Sequence, residues 1–140
     1  MSNFYLGKQS VRNLEGVHPD LVKVCRRAIE ISKLDFGVTE GVRTKELQQQ
    51  YWQQGVTWTL DSTHLLQHDG YGHAIDVYTR DKKGKISWKH KDFRFVIQAF
   101  ITAAIEHGVQ IEFGGLWRDK QDSPHIQLAQ KYYSLESANG

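Results

Sequence analysis

Cysteine occurs once in the 140 residues, at Cys25, so no internal disulfide framework and no cysteine-rich zinc module can form. A lone thiol suits folding in a reducing compartment. Proline occurs only as Pro19 and Pro124, and no linker, repeat or low-complexity tract divides the chain. Charge of one sign is also missing: 18 Lys and Arg face 16 Asp and Glu, for a net charge of +2. That excess does not demand a polyanionic partner, and no nucleic-acid binding is expected. No apolar run approaches the roughly 18 residues that span a bilayer, and the opening Met1 to Lys8 lacks the apolar stretch of a secretory signal. The expectations are no membrane insertion and synthesis in a cytoplasm.

What remains is the composition of an ordinary folded globule, 39% hydrophobic and 24% charged with four Trp. The length is that of one domain, residues 1–140, large enough to support a core without disulfides.

Pro19 opens a segment in which Leu21, Val24, Cys25 and Ala28 follow helical spacing, which predicts a helix over residues 19–32. Phe36 to Gly41 reads as a short strand. Thr44 then caps a second helix, with Leu47 and Tyr51 on one face and Gly55 as its stop. Residues 56–72 form a long polar loop, a length that usually has a functional reason. His73 to Thr79 alternates, setting Ala74, Asp76 and Tyr78 on one face and Ile75 and Val77 on the other. Arg80 to Lys85 is a hairpin turn leading to Ile86 and Trp88. Phe93, Val96, Ile97, Phe100, Ile101, Ala104 and Ile105 predict the clearest helix, with one apolar stripe and an end at Gly108. Short strands at Ile111 to Phe113 and His125 to Leu128 complete an α+β fold, a small antiparallel sheet with packed helices.

The residues able to carry chemistry fall in three segments: Ser62-Thr63-His64, Gly72-His73-Ala74-Ile75-Asp76, and Asp122-Ser123-Pro124-His125. Two histidines and an aspartate from separate segments make a three-ligand set that leaves a fourth zinc position open, the arrangement of catalysis and not of scaffolding. Zinc lowers the pKa of bound water to about 7, and Asp122, three residues before His125, is placed to take and pass on the proton. In a chain with seven histidines the same spacing also fits surface or capping residues.

The order Ser-x-His, Gly-x-Ala-x-Asp and a late Asp-x-x-His after Phe113-Gly114-Gly115-Leu116-Trp117 resembles the zinc peptidases of the D-Ala-D-Ala carboxypeptidase superfamily. It is most similar to their L-alanyl-D-glutamate endopeptidase branch, which contains phage endolysins. The likeness extends through Phe4 to Lys8, through His18 to Glu30 and through Glu40-Gly41-Val42-Arg43-Thr44. It implies a D-Ala-D-Ala carboxypeptidase/hedgehog-like zinc peptidase fold. It also implies Zn2+ on His64, Asp76 and His125, Asp122 as catalytic base, and Arg43 as the cation that steadies substrate or oxyanion. Arginine suits that task because its fork of donors stays charged. Trp117, beside the Gly-Gly loop, is the aromatic residue assigned to a substrate groove, whereas Trp52 and Trp58 fit core positions equally well.

This sequence departs from the family's usual spacing, which has six residues between the first His and the Asp; here eleven separate His64 from Asp76. Five inserted residues that bulge outward would let the ligands meet. The alternative gives the ligand role to His68, with seven residues between it and Asp76. Ser62, two before His64, favours His64. His73 points away from Asp76 by strand alternation and is read as structural. Glu112, thirteen residues before His125, reads as a strand-surface charge. Arg80, Lys82, Lys83, Lys85, Lys89 and Lys91 read as a solvated hairpin tip and helix start, and Cys25 as a small buried hydrophobe.

By the resemblance, the expected activity is hydrolysis of the L-Ala–D-Glu bond of the peptidoglycan stem peptide by a monomer. The protein would accumulate in the host cytoplasm and reach the wall after a separate protein permeabilises the membrane. The alternatives are a D,D-carboxypeptidase or dipeptidase trimming D-Ala termini, and a wall-binding module without hydrolysis.

Overall fold

The computed structural model describes residues 4–55, 62–116 and 124–133. Chain order is α1 (Lys8–Asn13), α2 (Pro19–Ile31), β1 (Phe36–Glu40), α3 (Lys45–Gln53), β2 (Ala74–Arg80), β3 (Ile86–Ser87), α4 (His90–His107), β4 (Ile111–Phe113), a 3-10 turn (Gly114–Leu116), β5 (His125–Leu128) and α5 (Gln130–Tyr133). The strands form one antiparallel sheet in the order β1-β2-β5-β4, with β3 paired to the end of β2. This is the α+β architecture that the alternation and helical spacing predict.

The pleat divides the sheet into an apolar and a polar face. Ile75 and Val77 of β2 and Ile126 and Leu128 of β5 are fully buried in the core with Leu21, Val24, Cys25 and Ala28 of α2 and Val96, Phe100 and Ala103 of α4. Because strand side chains alternate, the residues between them, Asp76, His125 and Gln127, fall on the opposite face. The helices therefore support the sheet from behind, and the polar face is left for chemistry.

The helices obey local rules. In α2, Pro19 stands at the first turn and the His18 ring accepts a hydrogen bond from the Asp20 amide. Thr44 Oγ1 accepts from the Leu47 amide at 3.1 Å and caps α3 as expected. The buried residue of α3 is Gln48, however, while Leu47 and Tyr51 are half-buried. In α4 the stripe is narrower than its sequence implies: Phe93, Val96, Ile97, Phe100 and Ala104 are buried, but Ile101 lies at the edge and Ile105 is 76% exposed. Positions 101 and 105 fall one residue beyond the inward arc, which Ala99 and Ala103 fill instead. Gly108 closes α4 in the left-handed conformation, φ 68°.

Helix α1 has no counterpart in the sequence reading. Its six residues carry no apolar stripe; Ser10 docks it instead, accepting a hydrogen bond from the Val38 amide at 2.9 Å. At the hairpin, Asp81 Oδ1 accepts from the amides of Lys83 and Lys85, which explains the turn without any partner for its lysines. No helix among the described residues is long and apolar enough to cross a membrane.

Candidate metal centre

The site begins with strand register. Asp76 stands directly opposite His125 across the β2–β5 pairing, and opposite Glu40 across β1–β2 beyond a bulge between Val38 and Glu40. Cross-strand partners on one face touch, and Asp76 Oδ1 lies 3.2 Å from His125 Nδ1.

His64 arrives from the loop. Residues 65–71 close on themselves through Gln67 N to Tyr71 O at 2.8 Å and Gly70 N to Gln67 O at 2.9 Å. Their base is pinned by His73 N to Thr63 O at 2.8 Å and Gly72 N to Gly16 O at 2.9 Å. Residues 65–71 thus form an outward loop, with Leu66 and Asp69 to Tyr71 exposed, and His64 returns to the sheet with Nε2 3.3 Å from Asp76 Oδ1. One ligand atom from each of His64, Asp76 and His125 lies within 4.8 Å of the others. His68 is outside this group, its ring 6.5 Å from that of His73.

The donor chemistry suits a cation. His64 Nδ1 lies 2.8 Å from the Gly41 carbonyl oxygen. A carbonyl only accepts, so Nδ1 carries the proton, and Nε2 of the neutral ring turns a lone pair toward the Asp76 carboxylate. Nε2 is buried without a hydrogen-bond partner, and two electron-rich atoms 3.3 Å apart need a positive charge between them. These residues fit a zinc ion: two imidazoles and a carboxylate, with room in the coordination shell for a further ligand.

Arg43 lies beside the group and is buried. Its Nε donates to Glu40, Nη1 donates to Gln48 Oε1 at 2.6 Å, and Nη2 stands 3.9 Å from Asp76 Oδ2. The Tyr51 ring covers the guanidinium, 5.0 Å from Cζ to centroid. The Arg43 amide also donates to the His64 carbonyl at 2.9 Å, so one backbone bond joins the cation's segment to the ligand loop.

Asp122 and Trp117, assigned as base and groove aromatic, lie outside the described residues, as does Trp58. Trp52 is half-exposed on α3. His73 takes no part in the centre: it bonds Asp69 at 2.8 Å and packs edge-on against His18 and Tyr133. Glu112 is more than a surface charge, since its Oε2 accepts from Gln127 Nε2 at 3.1 Å. Sequence reasoning missed Gly41, Glu40, Gln48 and Gln127. The strand alternation that selects Asp76 also selects Gln127, two residues after His125.

Comparison with known proteins identifies the family. The family profile described as phage L-alanyl-D-glutamate peptidase matches residues 1–133. The chain is similar to the L-alanyl-D-glutamate peptidase of Escherichia phage T5, 36% identical over 141 residues that cover 90% of this chain and 98% of that protein. It is 26% identical over 145 residues to the L-alanyl-D-glutamate peptidase of Listeria phage A118, covering 98% of this chain and 46% of that longer protein. Among solved structures, the L-Ala D-Glu endopeptidase ChiX of Serratia marcescens superposes with a TM-score of 0.83 at 37% identity, over 94% of this chain and 96% of that one. With its His–Asp–His group on the polar face of the sheet and a family match over nearly its whole length, the chain belongs to the phage L-alanyl-D-glutamate peptidase family.

Proposed function

We propose that this chain is a zinc-dependent endopeptidase that cuts the peptidoglycan stem peptide between L-Ala and D-Glu, with His64, Asp76 and His125 as the metal ligands. The convergence of these three side chains on one point carries the reading. The names of the relatives supply the bond. Bound there, zinc supplies Lewis acidity, which polarises a carbonyl and makes a water molecule acidic enough to ionise near pH 7.

The chain's own residues do the rest. Asp122, three residues before His125, is the proposed base, taking the water's proton and delivering it to the leaving amine. Arg43 is locked by Glu40 and Gln48, so its charge needs no reorganisation as negative charge develops on the substrate. Trp117 is proposed to line the groove for the stem peptide. The whole chain, 1–140, acts as one catalytic unit and a monomer, made in the host cytoplasm and given access to the wall once the membrane is permeabilised.

Paired substitutions test these roles. D122A is expected to keep zinc and lose turnover on purified cell wall, whereas H125A loses both. A D122A protein that cuts at the normal rate removes Asp122 from the mechanism. Release of terminal D-Ala, with no new D-Glu amino terminus, supports the carboxypeptidase alternative.

A further inference from the structure

His125 turns Nδ1 toward Asp76 and Nε2 the other way, 2.7 Å from Gln127 Oε1. We propose that Glu112 and Gln127 form a positioning relay that fixes His125 as its Nε2–H tautomer and thereby presents an Nδ1 lone pair to the metal. The proposal rests on reading His64, Asp76 and His125 as the metal centre.

For a neutral His125 ring, the donors and acceptors of Glu112, Gln127 and Thr63 give one assignment. The Glu112 carboxylate only accepts, and its Oε2 is 3.1 Å from the Gln127 side-chain nitrogen, so that nitrogen donates. The other end of the amide is then its oxygen. That oxygen accepts from the Thr63 hydroxyl at 3.2 Å and faces His125 Nε2 at 2.7 Å. An amide oxygen cannot donate, so Nε2 carries the ring proton. In neutral imidazole the second nitrogen is then unprotonated, and Nδ1 is the ligand atom.

The backbone holds this relay in place. Glu112 and Gln127 are direct register partners across β4 and β5, and His125 lies two residues before Gln127 on the same face. Gln127 is only 6% exposed, which keeps water from replacing its partners. Histidine ligands generally need such a partner on the second nitrogen to fix ring orientation and tautomer. Here the carboxylate acts through an intervening amide, and Glu112 acquires a role although it never reaches the metal.

The test reads the tautomer directly. In metal-free protein at a pH where its imidazoles are neutral, long-range 1H–15N correlation spectra should show His125 protonated at Nε2. E112Q, near-isosteric and on a half-buried strand position, frees the Gln127 amide to flip and should give a mixture of tautomers. Q127L should do the same, and both should weaken zinc binding, by about 10- to 100-fold for the loss of such a partner. The double exchange E112Q/Q127E restores a donor at 112 facing an acceptor at 127 and should recover the Nε2–H form. Wild-type His125 protonated at Nδ1, or an Nε2–H form that persists in E112Q and Q127L at unchanged zinc affinity, refutes the relay. Failure of the wild-type protein to bind zinc would count against the metal centre itself, while the tautomer spectra would still decide the relay.

Discussion

Asp76 Oδ1 sits between two imidazoles, 3.2 Å from His125 Nδ1 and 3.3 Å from His64 Nε2. One contact comes from strand register and the other from a loop, so the site depends on two separable parts of the fold. The sheet sets Asp76 against His125. The Gly41 carbonyl and the closed loop 65–71 set His64.

Gly41 gives the first prediction. A Cβ there would lie 1.9 Å from the Asn13 carbonyl oxygen, so the backbone must move, and with it the carbonyl that orients His64. G41A should lower stability by about 1–3 kcal/mol, the usual range for forced overpacking, and weaken zinc binding as well. Gly7 has nothing within 4 Å of the same position, and G7A serves as the control. Denaturant melts and zinc titration of both variants check this; a G41A protein matching wild type in both would contradict it.

Arg43 gives the second. R43A should reduce kcat by about 100-fold or more, as loss of a preorganised charge at a reacting centre does, with zinc still bound. R43K should rescue little, because an ammonium cannot hold Glu40 and Gln48 with the same fork. Steady-state kinetics with metal analysis of each variant decides the point.

His73 gives a pH dependence. Burial disfavours its charged form more than the Asp69 hydrogen bond favours it, so its pKa lies below the ordinary value of about 6.5. The unfolded chain therefore takes up this proton first. Stability from neutral His73 is complete above about pH 6.5 and declines as pH falls through the range beneath it. Asp69, also shifted down, contributes in the same sense but at lower pH, near the ordinary carboxylate range. H73Q should flatten the fall in Tm between pH 7.5 and 5.5, and an equal slope in wild type and H73Q would show that His73 is not responsible.

Cys25 gives the fourth. The thiol is fully buried and pushed up to about 12, chiefly by desolvation. It should resist a disulfide reagent in the native protein and react at once in denaturant. Rapid labelling of native protein would contradict its burial.

The fold was legible wherever periodicity is strong. Alternation around Asp76 placed β2, and Gly108 marked the end of α4. Helix α1 was hidden because its six residues are held to Val38 by the polar side chains of Ser10 and Asn13 and not by an apolar stripe. The same limit applies to the site. His64, Asp76 and Arg43 stand out as residue types in motifs, but Gln127 and Glu112 matter only through which residue faces which across β4 and β5. Register of that kind is a tertiary property, as is the choice of Gln48 over Leu47 as the buried residue of α3.

The central claim is zinc-dependent cleavage between L-Ala and D-Glu, and mass spectrometry of muropeptides from purified Gram-negative sacculi tests it most directly. Zinc-loaded protein should release stem peptides that begin at D-Glu and leave L-Ala on the glycan, and a chelated control should release none. Intact stem peptides from the zinc-loaded protein, or the same release under chelation, would contradict the account.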